Sequence, residues 1–106
     1  MPRYLWSGSY TTEGSKGLVA EGGTGRRAAV QKLAESLGGR LESLYFAFGA
    51  NDVFCIFEMP DNVSAAAVGM TVGASGSMRG SITVLLSPEE IDAASRKSPI
   101  YRAAGT

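Results

Sequence analysis

Two side chains in the middle of the chain could do acid-base chemistry. Glu58 and Tyr45 fall on the same face of a predicted β-hairpin, because alternate residues of a strand point to opposite faces. Burial of that face would raise the pKa of the Glu58 carboxyl and make it a candidate general acid or base, with Tyr45 as its partner. The alternative is that Glu58 lies near a strand end, exposed or paired with an arginine such as Arg3 or Arg79.

A second set of side chains could bind a small molecule. Aromatic rings with polar ends are common in such sites, and Asp52 at the tip of the hairpin could anchor a ligand or a neighbouring subunit. The candidate binding residues are Tyr4, Trp6, Tyr10, Asp52 and Arg79. The aromatic residues could instead belong to the core or to an interface, and Asn51-Asp52 could simply build the turn.

The residues that are absent exclude several kinds of chemistry. The chain has no histidine and one cysteine, so zinc fingers, His-ligated haem, Cys-His nucleophiles and Ser-His-Asp triads cannot be built from it. We expect no metal and no cofactor. Cys55 cannot form an intramolecular disulfide and, between Val53 and Phe57, is expected to be a buried structural thiol.

A glycine-rich segment before the first predicted helix resembles an anion-binding loop only loosely. Residues 22–27 read GGTGRR and lack the GK[ST] ending of a P-loop. An anion could sit at the start of the helix, near Arg26 and Arg27. A flexible, solvated loop is the simpler interpretation.

Length and charge define the class of protein. With 106 residues, we expect one domain spanning 1–106, with a core at about 1–87 and a C-terminal helix and tail at 88–106. Lys plus Arg equals Asp plus Glu at 10 each, so no net field attracts nucleic acid or an anionic membrane. Since no apolar run is long enough to cross a bilayer and no signal peptide is recognisable, we expect a cytoplasmic protein.

Periodicity and breakers predict four strands and three helices. Strands are expected at 3–11, on both sides of a turn at 49–52, and at 78–86. Residues 12–25 are predicted to form a loop with a short turn at 17–20. A helix then follows, capped by Thr24 and ended by Gly38-Gly39.

The second half of the chain carries clearer helix signals. A helix at about 63–72 is expected after a cap at Asp61 or Asn62, and a short one after Ser87-Pro88-Glu89-Glu90, ending near Arg96. The tail beyond it is expected to pack only through Ile100 and Tyr101.

The hairpin is apolar on both faces. A tight turn at 49–52 would pair Phe46 with Cys55 and Tyr45 with Ile56. Antiparallel sheets with one solvated face usually alternate apolar and polar residues. Since this hairpin does not, both faces of the sheet should be shielded from water. We expect helices on one face, and a partner subunit or a ligand cavity on the other.

The predicted order β-α-β-β-α-β is that of a ferredoxin-like α+β sandwich. It has one four-stranded antiparallel sheet, two helices on one face and, here, a C-terminal helical extension. The uncovered face would be markedly hydrophobic, and exposed patches of that kind mark interaction sites. We therefore expect a homodimer or a larger homo-oligomer.

Several motifs resemble those of the GYD domain family. They are Tyr4 and Tyr10 in the first strand, a Thr-x-x-Gly at 11–14, and Tyr45-x-x-x-Gly49-Ala50-Asn51-Asp52 running into Glu58-x-Pro60-Asp61. Asn51 stands where the family has a tyrosine. The resemblance covers about residues 1–90 and implies the dimeric α/β barrel, in which ferredoxin-like subunits pair through their sheets.

Three functions remain open at this point. The first is an accessory or small-molecule-binding module, with its site between the sheet and the partner subunit. The second is a cofactor-independent enzyme, monooxygenase- or isomerase-like as in relatives of the superfamily, acting on a small aromatic or carbonyl substrate through Glu58 and Tyr45. The third is a purely structural assembly protein.

Overall fold

The computed structural model describes residues 1–106 as an α+β fold with four strands and four helices. The strands form one antiparallel sheet in the order β2-β3-β1-β4, which is compatible with a ferredoxin-like fold. In chain order the elements are β1 Arg3–Tyr10, α1 Thr12–Glu21, α2 Gly23–Ser36, β2 Arg40–Phe46, β3 Val53–Glu58, α3 Asn62–Ala74, β4 Met78–Leu85 and α4 Pro88–Ser95.

One face of the sheet is covered by helices and holds the core. Alternate residues of the two central strands point to this face, so β1 contributes Tyr4 and Trp6 while β3 contributes Val53, Cys55 and Phe57. Ala34 of α2 together with Ala65 and Val68 of α3 completes the same cluster. The sequence-based prediction of helices on one face is therefore confirmed.

The register of the hairpin differs from the prediction by two residues. Phe46 pairs with Val53 and Leu44 pairs with Cys55, because the connection spans 47–52 and is closed by Ala47 donating to the Asp52 carbonyl. From Ser43 to Phe46 this shift of two residues keeps each side chain on its predicted face, whereas a shift of one would have inverted the strand. An irregularity between Leu41 and Ser43 then shifts the pairing by one further residue, so that Leu41 pairs with Phe57. The assignment of the two faces thus survives the wrong register.

The predicted loop at 12–25 is wrong, because most of it is helical. Thr11 caps α1, its hydroxyl accepting a hydrogen bond from the backbone N–H of Gly14, and Glu13 lies favourably in the first turn. Gly22, with φ of 85°, ends α1 and serves as the N-cap of α2, so Thr24 lies inside that helix and is not its cap. The helical layer consequently contains one helix more than predicted.

The other helix boundaries follow the predicted signals. Gly38, with φ of 80°, closes the end of α2 by donating to the Glu35 carbonyl. Asp61 caps α3, its carboxylate accepting from the Ser64 N–H at 2.8 Å. Ser87 and Glu90 form a reciprocal capping box at the start of α4.

The tail does not pack as predicted. Ile100 is fully exposed and Tyr101 is 81% exposed, and no residue of α4 is buried. The segment 88–106 therefore projects from the sheet and its helices. Among the four helices, none has the length and apolar character that a bilayer crossing requires.

Candidate functional site

A cavity of about 310 Å³ lies between the sheet and the helical layer. Its walls come from β1, β3, α1, α2 and α3, together with Leu44 of β2 and Met78 of β4. The apolar side chains that line it include Trp6, Leu18, Val30, Leu33, Leu44, Val53, Cys55, Phe57, Val68, Val72 and Met78. It is a predominantly apolar pocket inside one subunit, on the face opposite the predicted inter-subunit site.

Trp6 lies against two glycines on the floor of the cavity. Gly8 and Gly80 face each other across β1 and β4, two residue pairs beyond the Trp6–Ile82 pair and on the same face of the sheet. A Cβ at Gly80 would stand 2.6 Å from Cζ2 of the indole, and one at Gly8 would stand 2.8 Å from its Nε1. The two glycines therefore leave room for the indole to extend over their backbone.

One wall of the cavity is the inner face of α1, which contains two glycines. Gly14, Gly17, Leu18 and Glu21 fall at i, i+3, i+4 and i+7 and all line the cavity. A Cβ at Gly14 would overlap the carbonyl oxygen of Ser77, whereas one at Gly17 would meet nothing within 4 Å. Gly14 thus brings the helix close to the start of β4, and Gly17 leaves space beside the cavity.

Thr11 fastens the start of the same helix to β4. Its N–H donates to the Ser77 carbonyl at 3.0 Å and its hydroxyl donates to the Gly76 carbonyl at 2.7 Å. The Thr-x-x-Gly motif therefore has a physical role, since Thr11 both caps α1 and binds the segment that leads into β4, while Gly14 permits the contact.

The polar groups of the cavity lie at its α1–α2 side. Arg26 of α2 pairs with Glu21 of α1 at 3.5 Å, and Tyr10 lies beside them. Burial raises the pKa of the Tyr10 hydroxyl; the Arg26 charge opposes this effect, while Glu21 and Asp52 add to it. The phenol is therefore neutral at physiological pH and lies close enough to these charges to be influenced by them.

Two polar hydrogens of the cavity have no acceptor in the protein. Neither the Tyr10 hydroxyl nor the Trp6 indole N–H makes a hydrogen bond to another protein group, yet no side-chain polar atom is fully enclosed without a partner. Both groups therefore keep some accessible surface and a free hydrogen-bonding capacity.

Cys55 contributes a neutral thiol to the same wall. Burial raises its pKa to about 11, so it is protonated and poorly nucleophilic at physiological pH. The predicted buried structural thiol is confirmed.

Of the predicted binding residues, the structure brings Trp6 and Tyr10 together at the cavity and places Tyr4 elsewhere. Tyr4 is 1% exposed, stacks on Phe57 with ring centroids 5.6 Å apart, and donates its hydroxyl to the Asn62 side-chain oxygen at 2.6 Å. Its ring has no room for a ligand. Tyr4 therefore joins β1 to the start of α3 as a core residue.

Asp52 and Arg79 also lie away from the cavity lining. The Asp52 carboxylate accepts from the Tyr10 backbone N–H at 2.9 Å, and the Asp52 N–H donates to the Gly8 carbonyl at 2.8 Å. The hairpin tip is thereby tied to the end of β1, which makes Asp52 a residue that positions Tyr10. Arg79 is paired with Ser9 on the face of the sheet that carries no helices.

Glu58 and Tyr45 lie on this helix-free face, here called the open face, and are not brought together. Tyr45 stands opposite Phe54, four residues along β3 from Glu58, or about 13 Å at roughly 3.3 Å per residue. Tyr45 is 72% exposed. The two side chains therefore form no acid-base pair within one subunit.

The expected rise in the pKa of Glu58 is wrong. Its carboxylate pairs with Arg40 and lies 3.9 Å from Arg3, and these partners hold the pKa below its usual value even though the side chain is only 14% exposed. Glu58 is ionised in this arrangement, as the alternative of a paired strand-end carboxylate predicted.

The sequence-based interpretation missed the residues of α1 and the ion pair at its end. Gly14, Gly17, Leu18 and Glu21 share a helix face, and this spacing was present in the sequence, but two glycines in ten residues had favoured a loop. Nowhere are three His, Cys, Asp or Glu side chains arranged to hold a metal ion.

Comparison with family models finds one family in this chain. The model described as GYD domain matches residues 4–95. No curated protein and no solved structure matches the chain.

Proposed function

The chain belongs to the GYD domain family, and we propose that it binds a small, uncharged aromatic molecule in the cavity between its sheet and helices α1, α2 and α3. Small-molecule sites are typically concave, mostly apolar and equipped with a few polar groups that orient the ligand. The cavity described here has these properties within a single subunit.

The observation that carries this proposal is the pair of unused donors in an apolar pocket. Tyr10 and Trp6 both line the cavity, and neither the Tyr10 hydroxyl nor the Trp6 indole N–H has an acceptor in the protein. A ligand with a carbonyl or hydroxyl oxygen would supply that acceptor, and its ring would pack against the indole. At about 310 Å³ the cavity is near the lower limit of ligand pockets, so one or two fused rings are the expected size.

The charges at the cavity favour an uncharged ligand. The only cationic side chain in its lining, Arg26, is already paired with Glu21, and Glu13 adds a further carboxylate. A ligand anion would have to compete with Glu21 for the guanidinium and would lose its hydration in an apolar pocket. We therefore expect benzaldehyde or 1-naphthol to bind better than benzoate.

The observations do not favour the enzymatic alternative. Glu58 and Tyr45 lie on the other face of the sheet, and Glu58 carries a lowered pKa. Within the cavity, the Tyr10 phenol and the Cys55 thiol both have raised pKa values, so neither is poised as a base or nucleophile. Binding is the function that this arrangement supports best.

We also propose that the protein self-associates through the open face of its sheet, as an assembly in the cytoplasm. On that face, strand pairing places Leu5 beside Ile56 and Phe54 beside Tyr45. Hydroxyl side chains lie among these residues. Phe54 and Tyr45 are exposed aromatic side chains, and such patches are typical of interaction sites. A second copy presenting the same face would bury them.

The binding test uses the single tryptophan of the chain as its reporter. Because Trp6 lines the cavity, saturating 1-naphthol or benzaldehyde should protect its indole N–H from exchange and shift its NMR resonance. Gly17→Leu should abolish the shift. Gly17 lines the cavity and has room for a side chain, so the added leucine would occupy space that the ligand needs. Gly73→Leu, in α3 with equally open surroundings but outside the lining, is the matched control.

Two outcomes would contradict the binding proposal. In the first, neither 1-naphthol nor benzaldehyde shifts the Trp6 resonance at millimolar concentration. In the second, the Gly17→Leu variant remains folded and binds these ligands as well as the parent protein does. Self-association is tested separately by native mass spectrometry, where a monomer at micromolar concentration would overturn it.

A further inference from the structure

The tip of the hairpin is bonded to three consecutive residues at the end of β1. The Asp52 N–H donates to the Gly8 carbonyl at 2.8 Å, and the Ser9 hydroxyl donates to the Ala50 carbonyl. The Tyr10 N–H donates to the Asp52 carboxylate at 2.9 Å. The tip therefore holds β1 at the point where Tyr10 joins the cavity lining.

The bond to Tyr10 takes the place of a missing strand partner. On the β3 side of β1, the paired residues end at Gly8 and Val53, two residues before Tyr10. On the other side, Tyr10 pairs with Met78 of β4. Because a backbone N–H in the fold needs an acceptor, the Asp52 carboxylate fixes the backbone of Tyr10 where β3 no longer reaches it.

The Tyr10 ring lies between α1 and the cavity. Its Cδ1 would stand 3.0 Å from a Cβ at Gly14, so the glycine allows the ring to approach the helix. Burial raises the pKa of the Tyr10 hydroxyl, the Arg26 charge lowers it, and Cys55 and Glu21 raise it further. Arg26, Cys55 and Glu21 all line the cavity. The hydroxyl therefore lies near the cavity, and it has no acceptor in the protein.

We propose that Asp52, acting through Tyr10, determines the preference of the cavity for ligands that carry an acceptor oxygen. This inference rests on the proposed function, since it concerns how the same cavity selects its ligand. By fixing the backbone of Tyr10, the carboxylate holds the phenol where its hydroxyl can donate to a carbonyl oxygen of the bound molecule. Asp52 itself does not line the cavity, so it is a positioning residue. Its loss should weaken that hydrogen bond and leave the apolar contacts in place.

Two ligands of the same shape separate the hydrogen bond from the apolar contacts. Benzaldehyde carries a carbonyl oxygen, and styrene carries a CH₂ group in its place. Their dissociation constants are measured from the Trp6 indole resonance, and the styrene constant divided by the benzaldehyde constant is here called the oxygen preference. The hydration of the free ligands is the same for every variant, so a change in this ratio comes from the protein. Asp52→Ala should lower the oxygen preference about fivefold, which is near the net value of one hydrogen bond.

Three further variants test whether Asp52 acts through Tyr10. Tyr10→Phe should lower the oxygen preference as much, and adding Asp52→Ala to it should lower it no further, since both changes remove the same hydrogen bond. Asp52→Asn keeps an oxygen acceptor for the Tyr10 N–H and should retain most of the preference. Asp61→Ala is the matched control: it removes a carboxylate that accepts a backbone N–H at 2.8 Å outside the cavity lining. It should lower stability and leave the oxygen preference unchanged.

The Asp52 variants keep the backbone bonds of position 52 to Gly8 and Ala47, so we expect the hairpin to close in each of them. If Asp52→Ala nevertheless fails to fold, Asp52→Ser gives the same comparison. A serine hydroxyl favours turns but is too short to make the same bond to the Tyr10 N–H.

The outcomes separate this inference from the binding proposal. The role of Asp52 is overturned, and ligand binding stands, if Asp52→Ala leaves the oxygen preference unchanged or if Asp61→Ala lowers it equally. The same holds if Asp52→Asn loses as much as Asp52→Ala, or if Asp52→Ala lowers the preference further in the Tyr10→Phe protein. If neither benzaldehyde nor styrene shifts the Trp6 resonance of the parent protein, both the binding proposal and this inference are overturned.

Discussion

The indole of Trp6 lies over Gly80 of the neighbouring strand, so close that a Cβ at position 80 would stand 2.6 Å from its Cζ2. The same Cβ would stand 2.5 Å from the Ser7 carbonyl oxygen, which is part of the strand backbone and cannot turn aside. Gly80 therefore sets the position of the residue that forms the cavity floor. The absence of a side chain at one position determines the shape of the site at another.

Gly80→Ala should destabilise the protein and disturb the cavity together. Overpacking of this kind typically costs about 1–3 kcal/mol, and here it must displace either the indole or the strand backbone. We expect a lower urea midpoint and a shifted Trp6 fluorescence maximum. Gly73→Ala, where a Cβ meets nothing within 4 Å, is the control and should be neutral or stabilising by up to about 1 kcal/mol. Equal midpoints for the two variants would contradict the role given to Gly80.

The two glycines of α1 should respond in opposite directions to the same substitution. Gly17→Ala adds helix propensity in open space and should stabilise the protein by about 0.5–1 kcal/mol. Gly14→Ala forces a methyl group onto the Ser77 carbonyl oxygen, so it should move α1 away from β4 and destabilise the fold. Amide hydrogen exchange of α1 is the measurement, with faster exchange expected only in Gly14→Ala. Similar exchange in both variants would show that α1 does not depend on the close approach at Gly14.

The sheet was predicted more accurately than the helical layer, because a register error of two residues leaves strand side chains on the same faces. The hairpin register was wrong by two residues, yet Cys55 and Phe57 remained on the helix face and Tyr45 and Glu58 on the open face. In α1 the low propensity of Gly14 and Gly17 suggested a loop, whereas the Thr11 cap and the bonds to Gly76 and Ser77 make it a helix. The bonds to Gly76 and Ser77 join residues more than 60 positions apart, and local pattern cannot reveal them.

The candidate site was predicted only in part, because it also depends on helix α1, which the sequence did not predict. Trp6 and Tyr10 were identified as binding candidates from their aromatic rings, and both line the cavity. The sequence could not place that cavity on the helix side, since its wall is the unpredicted helix α1. The ion pair between Glu21 and Arg26 likewise exists only because Gly22 joins two helices with a positive φ.

Glu58 should make the protein more stable above its ordinary pKa than in acid. Its folded pKa is depressed, chiefly by the hydrogen bond from Arg40, so the stabilisation is fully present above the unfolded value near 4.5 and is lost as the pH falls through the folded value. Glu58→Gln should therefore lower the unfolding midpoint at pH 7 and have little effect below the folded pKa. Chemical denaturation at a series of pH values, with Glu89→Gln as an exposed control, checks this. A constant difference across the series would show that the effect of Glu58 does not come from its charge.

The labelling rate of the Cys55 thiol should report both its burial and the occupancy of the cavity. Because its folded pKa is about 11 against an ordinary 9.0, the folded thiol stays protonated at pH 8 and should react with a disulfide reagent far more slowly than the unfolded chain. The same difference predicts that stability falls as the pH rises from about 9 to 11, since only the unfolded thiol ionises in that interval. Saturating 1-naphthol should slow the labelling further, because Cys55 lines the cavity that the ligand would occupy. If Cys55 of the folded protein is labelled as fast as that of the unfolded chain, the thiol is not buried. If 1-naphthol shifts the Trp6 resonance but leaves the labelling rate of Cys55 unchanged, the ligand binds away from Cys55.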